Sequence, residues 1–106
     1  MKINFSKSGN LVYEAYIGYE DDGYWLVMAD CSFAAEMPTK EGILEEGYNI
    51  LEWYILRNIE HDNGVFLPKT KLKPKKGSEI VQFELDEELS DMVINFVEAG
   101  GEVFNA

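Results

Sequence analysis

The sequence predicts a two-layer α+β domain with the element order β-β-β-α-β-α. Three observations carry this expectation. Residues 11–19, LVYEAYIGY, alternate with period two, as a strand with two unlike faces does. Residues 40–64 carry apolar side chains at helical spacing. The chain then returns to period two in EIVQFEL and to a helical period in DEELSDMVINFVEAGG. One domain, 1–106, accommodates all six elements, with a core over about 11–86 and a C-terminal amphipathic helix over about 87–99.

In the first strand Leu11, Tyr13, Ala15, Ile17 and Tyr19 share one face, and Val12, Glu14, Tyr16 and Gly18 the other. YWLVMA, residues 24–29, is more continuously apolar and suits a central strand. Asp22-Gly23 between them signals a hairpin, because a type I′ turn needs positive φ at both central residues. A third short strand follows in SFAAEM. Pro38-Thr39 opens the long helix, with the Thr39 oxygen accepting from free amides as N-cap. Ile43, Gly47, Ile50 and Tyr54 form one row of that helix, and Leu44, Tyr48, Leu51 and Ile55 the next. Gly42 and Gly47 each cost about 1 kcal/mol of helix propensity against alanine. Their use implies a helix lying close on the sheet. Asn63-Gly64 is the expected stop. VFLPKTKLKPKKGS, with two prolines and five lysines, reads as an exposed connection. In the last strand Val81, Phe83 and Leu85 share a core face. In the last helix Leu89, Met92, Val93, Phe96 and Val97 share one face. Asp86 or Glu87 sits at its favourable N-terminal end, and Gly100-Gly101 stops it.

Charge narrows the function. Lysine and arginine number 9 and the acids 20, a net −11. Five of the nine cations (Lys69, Lys71, Lys73, Lys75 and Lys76) fall in one window, leaving −16 elsewhere. Such a body repels phosphate backbones, so no specific nucleic acid is expected as partner. It attracts a basic partner at long range. Solubility alone is the competing account of the acidity. No run of about 18 apolar residues occurs, so no membrane span is expected. The opening residues lack the apolar segment of a signal peptide, and a cytoplasmic location is the natural reading. Cys31 is the single cysteine, which leaves no internal disulfide and no cysteine zinc site.

Candidates for chemistry are few. Glu20, Asp21 and Asp22 fall at a solvated turn, where carboxylates ionise freely and are poorly placed for acid–base work. Glu14, Asp30, Glu36 and Glu84 lie in or beside strands. Their convergence on divalent ions is the one enzymatic arrangement left open. No ligand spacing repeats, however, and Asp30 suits a cap on the strand-to-loop turn. His61 has no second histidine at helical spacing and suits a solvated helix C-terminus. Cys31 has no histidine or base nearby in sequence and suits a small buried residue rather than a nucleophile. Ser32 lies in no Gly-x-Ser-x-Gly turn, and there is no glycine-rich phosphate loop. The lysine window lacks aromatic interleaving apart from Phe66 and reads as a solvated loop. No catalytic residue, cofactor or metal is expected, and the chain does not read as an enzyme.

The turn EDDGYWLV, the strand end MAD, the helix opening TKEGILEEGYNILEWYI and the exit NGVFLP carry a resemblance. Over residues 11–86 the chain resembles the HicB-like antitoxins, whose domain is a reduced RNase H-like fold. It departs from them in several places. Ala29 stands where a proline usually precedes the aspartate, CSFAAEMP lacks the usual glycines, and Gly42 and Gly47 replace the usual Glu and Ala. Many members add a C-terminal DNA-binding domain. Only 21 residues follow Leu85, so a stand-alone member without that half is expected. The resemblance implies a partial RNase H-like fold without the nuclease's metal-binding apparatus. It also implies docking on a small basic HicA-type RNA-cleaving toxin, whose active surface the antitoxin covers. The acidity suits this role independently, since an acidic domain can mimic RNA. Asp21, Asp22, Glu41, Glu45 and Glu52, on the hairpin tip and the helix, are the candidate partner-binding residues. A homodimer is the favoured oligomer. Tyr13, Tyr16, Tyr19, Tyr24 and Trp25 lie either at exposed edges or in core and cross-strand pairs. Two alternatives stand beside this reading. One is an orphan or phage-encoded inhibitor of another nucleic-acid-binding protein, and the other a cryptic metal-dependent nuclease.

Overall fold

The structure is a computed structural model that describes residues 2–106. Its elements are β1 (Val12–Glu20), β2 (Gly23–Met28), β3 (Ala34–Met37), α1 (Lys40–Glu60), β4 (Glu79–Glu84) and α2 (Glu87–Glu98). The expected order and the α+β class are both present. The four strands form one antiparallel sheet in the order β3-β2-β1-β4, so β4 returns beside β1 and β2 is internal as expected.

The hairpin turns one residue earlier than Asp22-Gly23. Asp21 and Asp22 hold the two positive-φ positions, at 54° and 62°, and Gly23 pairs with Glu20 as the first residue of β2. Local turn rules accept either placement, since aspartate also tolerates the left-handed region. The core decides between them. In the observed register Leu26 faces Ile17 and Met28 faces Ala15 across the ladder. A one-residue slip would carry both side chains to the opposite sheet face.

The Thr39 side chain caps α1, accepting from the Gly42 amide at 3.0 Å. The buried ridge is Ile43, Gly47, Leu51 and Ile55, a single i+4 line. Ile50 and Tyr54 are only half-buried, so the two expected rows contribute one tilted stripe between them. A Cβ on Gly47 would stand 2.8 Å from Leu26 Cδ1 and 2.9 Å from Phe83 Cζ. The helix therefore lies close on β2 and β3, with the Phe83 ring of β4 reaching Gly47. Gly42 faces the capping Thr39 Oγ1, whereas Gly47 bears out the expected close approach. Gly47→Val should cost about 1–3 kcal/mol by overpacking this contact. Urea denaturation reads the change, and an unshifted midpoint would contradict the close approach. The helix also ends before Asn63-Gly64. Glu60 is its last residue, His61 is the C-cap, and Asp62 takes the left-handed position at φ 54°. Gly64 is instead buried under the ring of Phe104.

At α2 the Asp86 carboxylate caps the helix, accepting from the Leu89 amide at 2.8 Å. Buried Ser90 accepts from the Leu11 amide at 3.0 Å and ties this helix to the start of β1. The core joins Leu11, Tyr13, Ala15, Ile17, Leu26, Met28, Phe83 and Leu85 of the sheet to Ile43, Leu51, Ile55, Leu89 and Val93 of the helices.

The lysine-rich connection is not a loose loop. It is a strap, fastened along its length. Tyr13 Oη donates to the Phe66 carbonyl at 2.6 Å, and the Asn4 amide donates to the Pro68 carbonyl at 2.7 Å. Asn105 exchanges two 2.9 Å bonds with the backbone of Leu67. Tyr16 Oη donates to the Lys73 carbonyl. The lysine side chains still face water, with Lys71, Lys73, Lys75 and Lys76 exposed.

Tyr13 and Cys31 lie inside this fastening, and both are buried. Burial, then the Asp30 charge, pushes the Cys31 thiol from its ordinary 9.0 up to about 12. The Tyr13 hydroxyl is also raised, by burial first and by Cys31 and Asp30 after it. Above pH 9 the unfolded thiol ionises while the folded one holds its proton. The contribution of this thiol to stability is therefore full below pH 9 and should be lost as pH rises from about 9 towards 12. Denaturant midpoints measured through that range should decline, less so in Cys31→Ala. A flat profile would contradict the assignment.

Candidate partner-binding surface

The acids divide into two groups by what they touch. Glu14 and Asp30 are committed within the fold, and Glu84, though exposed, is held by hydrogen bonds of its own. Asp30 Oδ2 accepts from the amides of Lys69 at 3.1 Å and Thr70 at 3.0 Å. Its Oδ1 accepts from Thr70 Oγ1 at 2.7 Å and Asn105 Nδ2 at 3.3 Å. Asp30 thus fastens the strap rather than capping its own turn. Glu14 is 4% exposed. It accepts from the Leu72 amide at 2.7 Å and Gln82 Nε2 at 2.8 Å, with Lys71 Nζ at 3.9 Å. Glu84 accepts from Ser6 Oγ at 2.7 Å and Asn10 Nδ2 at 3.1 Å. Glu36 stands apart, exposed on β3. Among the described residues these acids do not gather into a group of three placed to hold a metal ion. His61 is exposed at the helix end, and Cys31 is a buried free thiol.

The second group faces solvent. The twenty acids of the chain form two ion pairs among the described residues, Lys40–Glu79 at 3.0 Å and Lys71–Glu14. Asp21 and Asp22 stand at the hairpin tip over a shallow cleft that Tyr24, Trp25, Glu36 and Met37 help to line. A second groove lies against α1, lined by Met37, Gly42, Glu45, Glu46 and Asn49. Met37 belongs to both, so the tip acids and Glu45 border adjoining concavities. Glu41 is exposed in the first turn of α1. Positions 41, 45 and 52 fall on one stripe of the helix by their spacing. Glu52 is half-buried, and its charge acts on Tyr48. The Tyr48 hydroxyl is raised chiefly by burial, with Asp86 and Glu52 adding to it against the Asp86 amide bond. The five candidate residues are thus not one cluster. Asp21 and Asp22 line one concavity and Glu45 the next, with Met37 common to both, while Glu41 and Glu52 extend the acidic stripe along α1.

The aromatic residues of the hairpin resolve individually. Tyr13 is core, and Tyr19 and Tyr24 form a cross-strand pair with ring centroids 5.0 Å apart. Sequence patterning misses a different pair. Trp53 is 58% exposed and Leu56 39%, both on α1. Both fall outside the two apolar rows, and that is the signal by which they could have been found. Among the described residues no helix is long and apolar enough to cross a membrane. The chain matches no protein-family model, no curated protein and no solved structure. Function therefore has to be read from this surface.

Proposed function

We propose that the protein is an antitoxin-like binding domain, HicB-like with a partial RNase H-like fold, that neutralises a small basic HicA-type RNA-cleaving toxin by covering its active surface. One observation carries the reading: an acidic surface without cationic partners runs from the hairpin tip across Met37 onto α1. An enzyme that cleaves RNA needs a positive face to hold its substrate. An acidic domain competes for that face and gains from long-range attraction. The commitment of Glu14, Asp30 and Glu84 to internal hydrogen bonds weighs against the metal-nuclease alternative. The reading includes a cytoplasmic location and a homodimer formed at an open sheet edge, on β3 or β4.

The test is an RNA-cleavage assay with a small basic toxin encoded beside this chain. Cleavage should stop near an equimolar ratio. The protein alone, with magnesium or manganese, should leave RNA intact. Toxin activity that persists in large excess of this protein, or metal-dependent cleavage by the protein itself, would contradict the reading.

A further inference from the structure

We infer that the outward face of α1 is the docking surface for a basic protein partner, with Trp53 as its apolar anchor. The inference rests on the proposed acidic-binding role and locates it. Trp53 and Leu56 are three residues apart on a helix, so they are neighbours on its surface. Their side chains stand opposite the buried ridge Ile43, Gly47, Leu51 and Ile55. The Arg57 guanidinium lies 5.5 Å from the Trp53 ring and braces it.

A large side chain this exposed contributes little to the core and keeps apolar area in water. Glu52 and Glu60, each four residues from Leu56, flank the pair, Glu45 and Glu46 continue the acidic face about two turns before Trp53, and none has a cation at ion-pair distance. An apolar centre within a charged rim is the arrangement of a protein interface, where tryptophan and arginine are over-represented among the residues that dominate affinity. The uncompensated acids select a partner surface that offers an apolar pocket ringed by lysine or arginine. A membrane is a poor occupant, since anionic headgroups would be repelled by the same rim.

Two probes test this at low ionic strength: an amphipathic helical peptide of leucine and lysine, and an oligolysine of equal charge. The amphipathic peptide should bind more tightly and shift tryptophan emission to the blue. Trp53→Ala should weaken it about tenfold or more and abolish the shift, with Leu56→Ala weaker in the same direction. Both variants should keep the native circular dichroism, because both side chains are exposed. If the two probes bind alike and Trp53→Ala changes nothing, the anchor is wrong while the acidic-binding role stands. If neither probe binds, both ideas fail. Sedimentation that gives a dimer dispersed by Trp53→Ala would assign this face to a second copy and overturn the inference.

Discussion

Replacing Asp30 with alanine should release the strap and cost about 2–4 kcal/mol, an effect far above that of any surface acid. The magnitude follows from what the carboxylate holds. Two backbone amides, a threonine hydroxyl and an asparagine amide all donate to it. Bonds to a charged acceptor are worth roughly 1.5–3 kcal/mol each, reduced here because the site is partly open and water can substitute. Asp30→Asn should fall between wild type and Asp30→Ala, since it keeps one acceptor oxygen and loses the charge. Glu14→Ala should be comparably severe. It leaves the Leu72 amide and Gln82 without their acceptor beneath the strap. Glu45→Ala, exposed and unpaired, is the control and should change little. Release has a second readout. Lysine-specific proteolysis should become rapid at Lys69 and Lys71 in Asp30→Ala and stay slow in the parent. A variant with parent stability and parent proteolysis would mean that the strap is held by something else.

The strap marks where local reading of the sequence ends. Element type and order were legible because each element carries its own period. The alternation of residues 11–19 and the apolar stripes of the two helices are local signals. The Thr39 cap was legible for the same reason, a side chain accepting from an amide three residues on, whereas at the last helix the sequence left Asp86 and Glu87 as alternatives and the structure makes Asp86 the cap. The turn register was not. Asp21-Asp22 and Asp22-Gly23 both satisfy turn chemistry, and only the pairing of Leu26 and Met28 with β1 separates them. The strap was hidden by distance along the chain. Its fasteners lie 39 residues away at Asp30, 58 at Glu14 and 66 at Asn4, beyond any window of composition. A run of lysines and prolines reads as solvated from its side chains, and Lys71, Lys73, Pro74, Lys75 and Lys76 are in fact exposed, but Pro68 is buried and the backbone is held. Of the candidate surface, the acids were legible from charge alone. The exposure of Trp53 left one signal, its place outside both apolar rows, and the usual burial of tryptophan outweighs it.

The turn geometry also shapes how the acidic surface should be tested. Asp21 and Asp22 both sit at positive φ, a region that lysine adopts only at a steric cost. Reversing them to lysine would mix strain with charge. Asparagine removes the charge and keeps the tolerance for that backbone. Glu41 and Glu45 lie on ordinary helix backbone that lysine adopts, with a cost of about 0.3–1 kcal/mol at Glu41, whose negative charge favours the first turn. The variant Asp21→Asn, Asp22→Asn, Glu41→Lys, Glu45→Lys therefore removes six charge units from the surface while lowering the thermal midpoint by only a few degrees.

The decisive measurement is stopped-flow association of this variant and the parent with the cognate basic toxin, at low and at high salt. Charges at a rim act on the encounter rate and are screened over roughly 8–10 Å at physiological ionic strength. The parent should associate fast at low salt and slow steeply as salt rises. The variant should associate about tenfold more slowly at low salt and meet the parent at high salt, with a similar dissociation rate. Equal association rates at every salt concentration, with no salt dependence in the parent, would contradict binding by acidic mimicry.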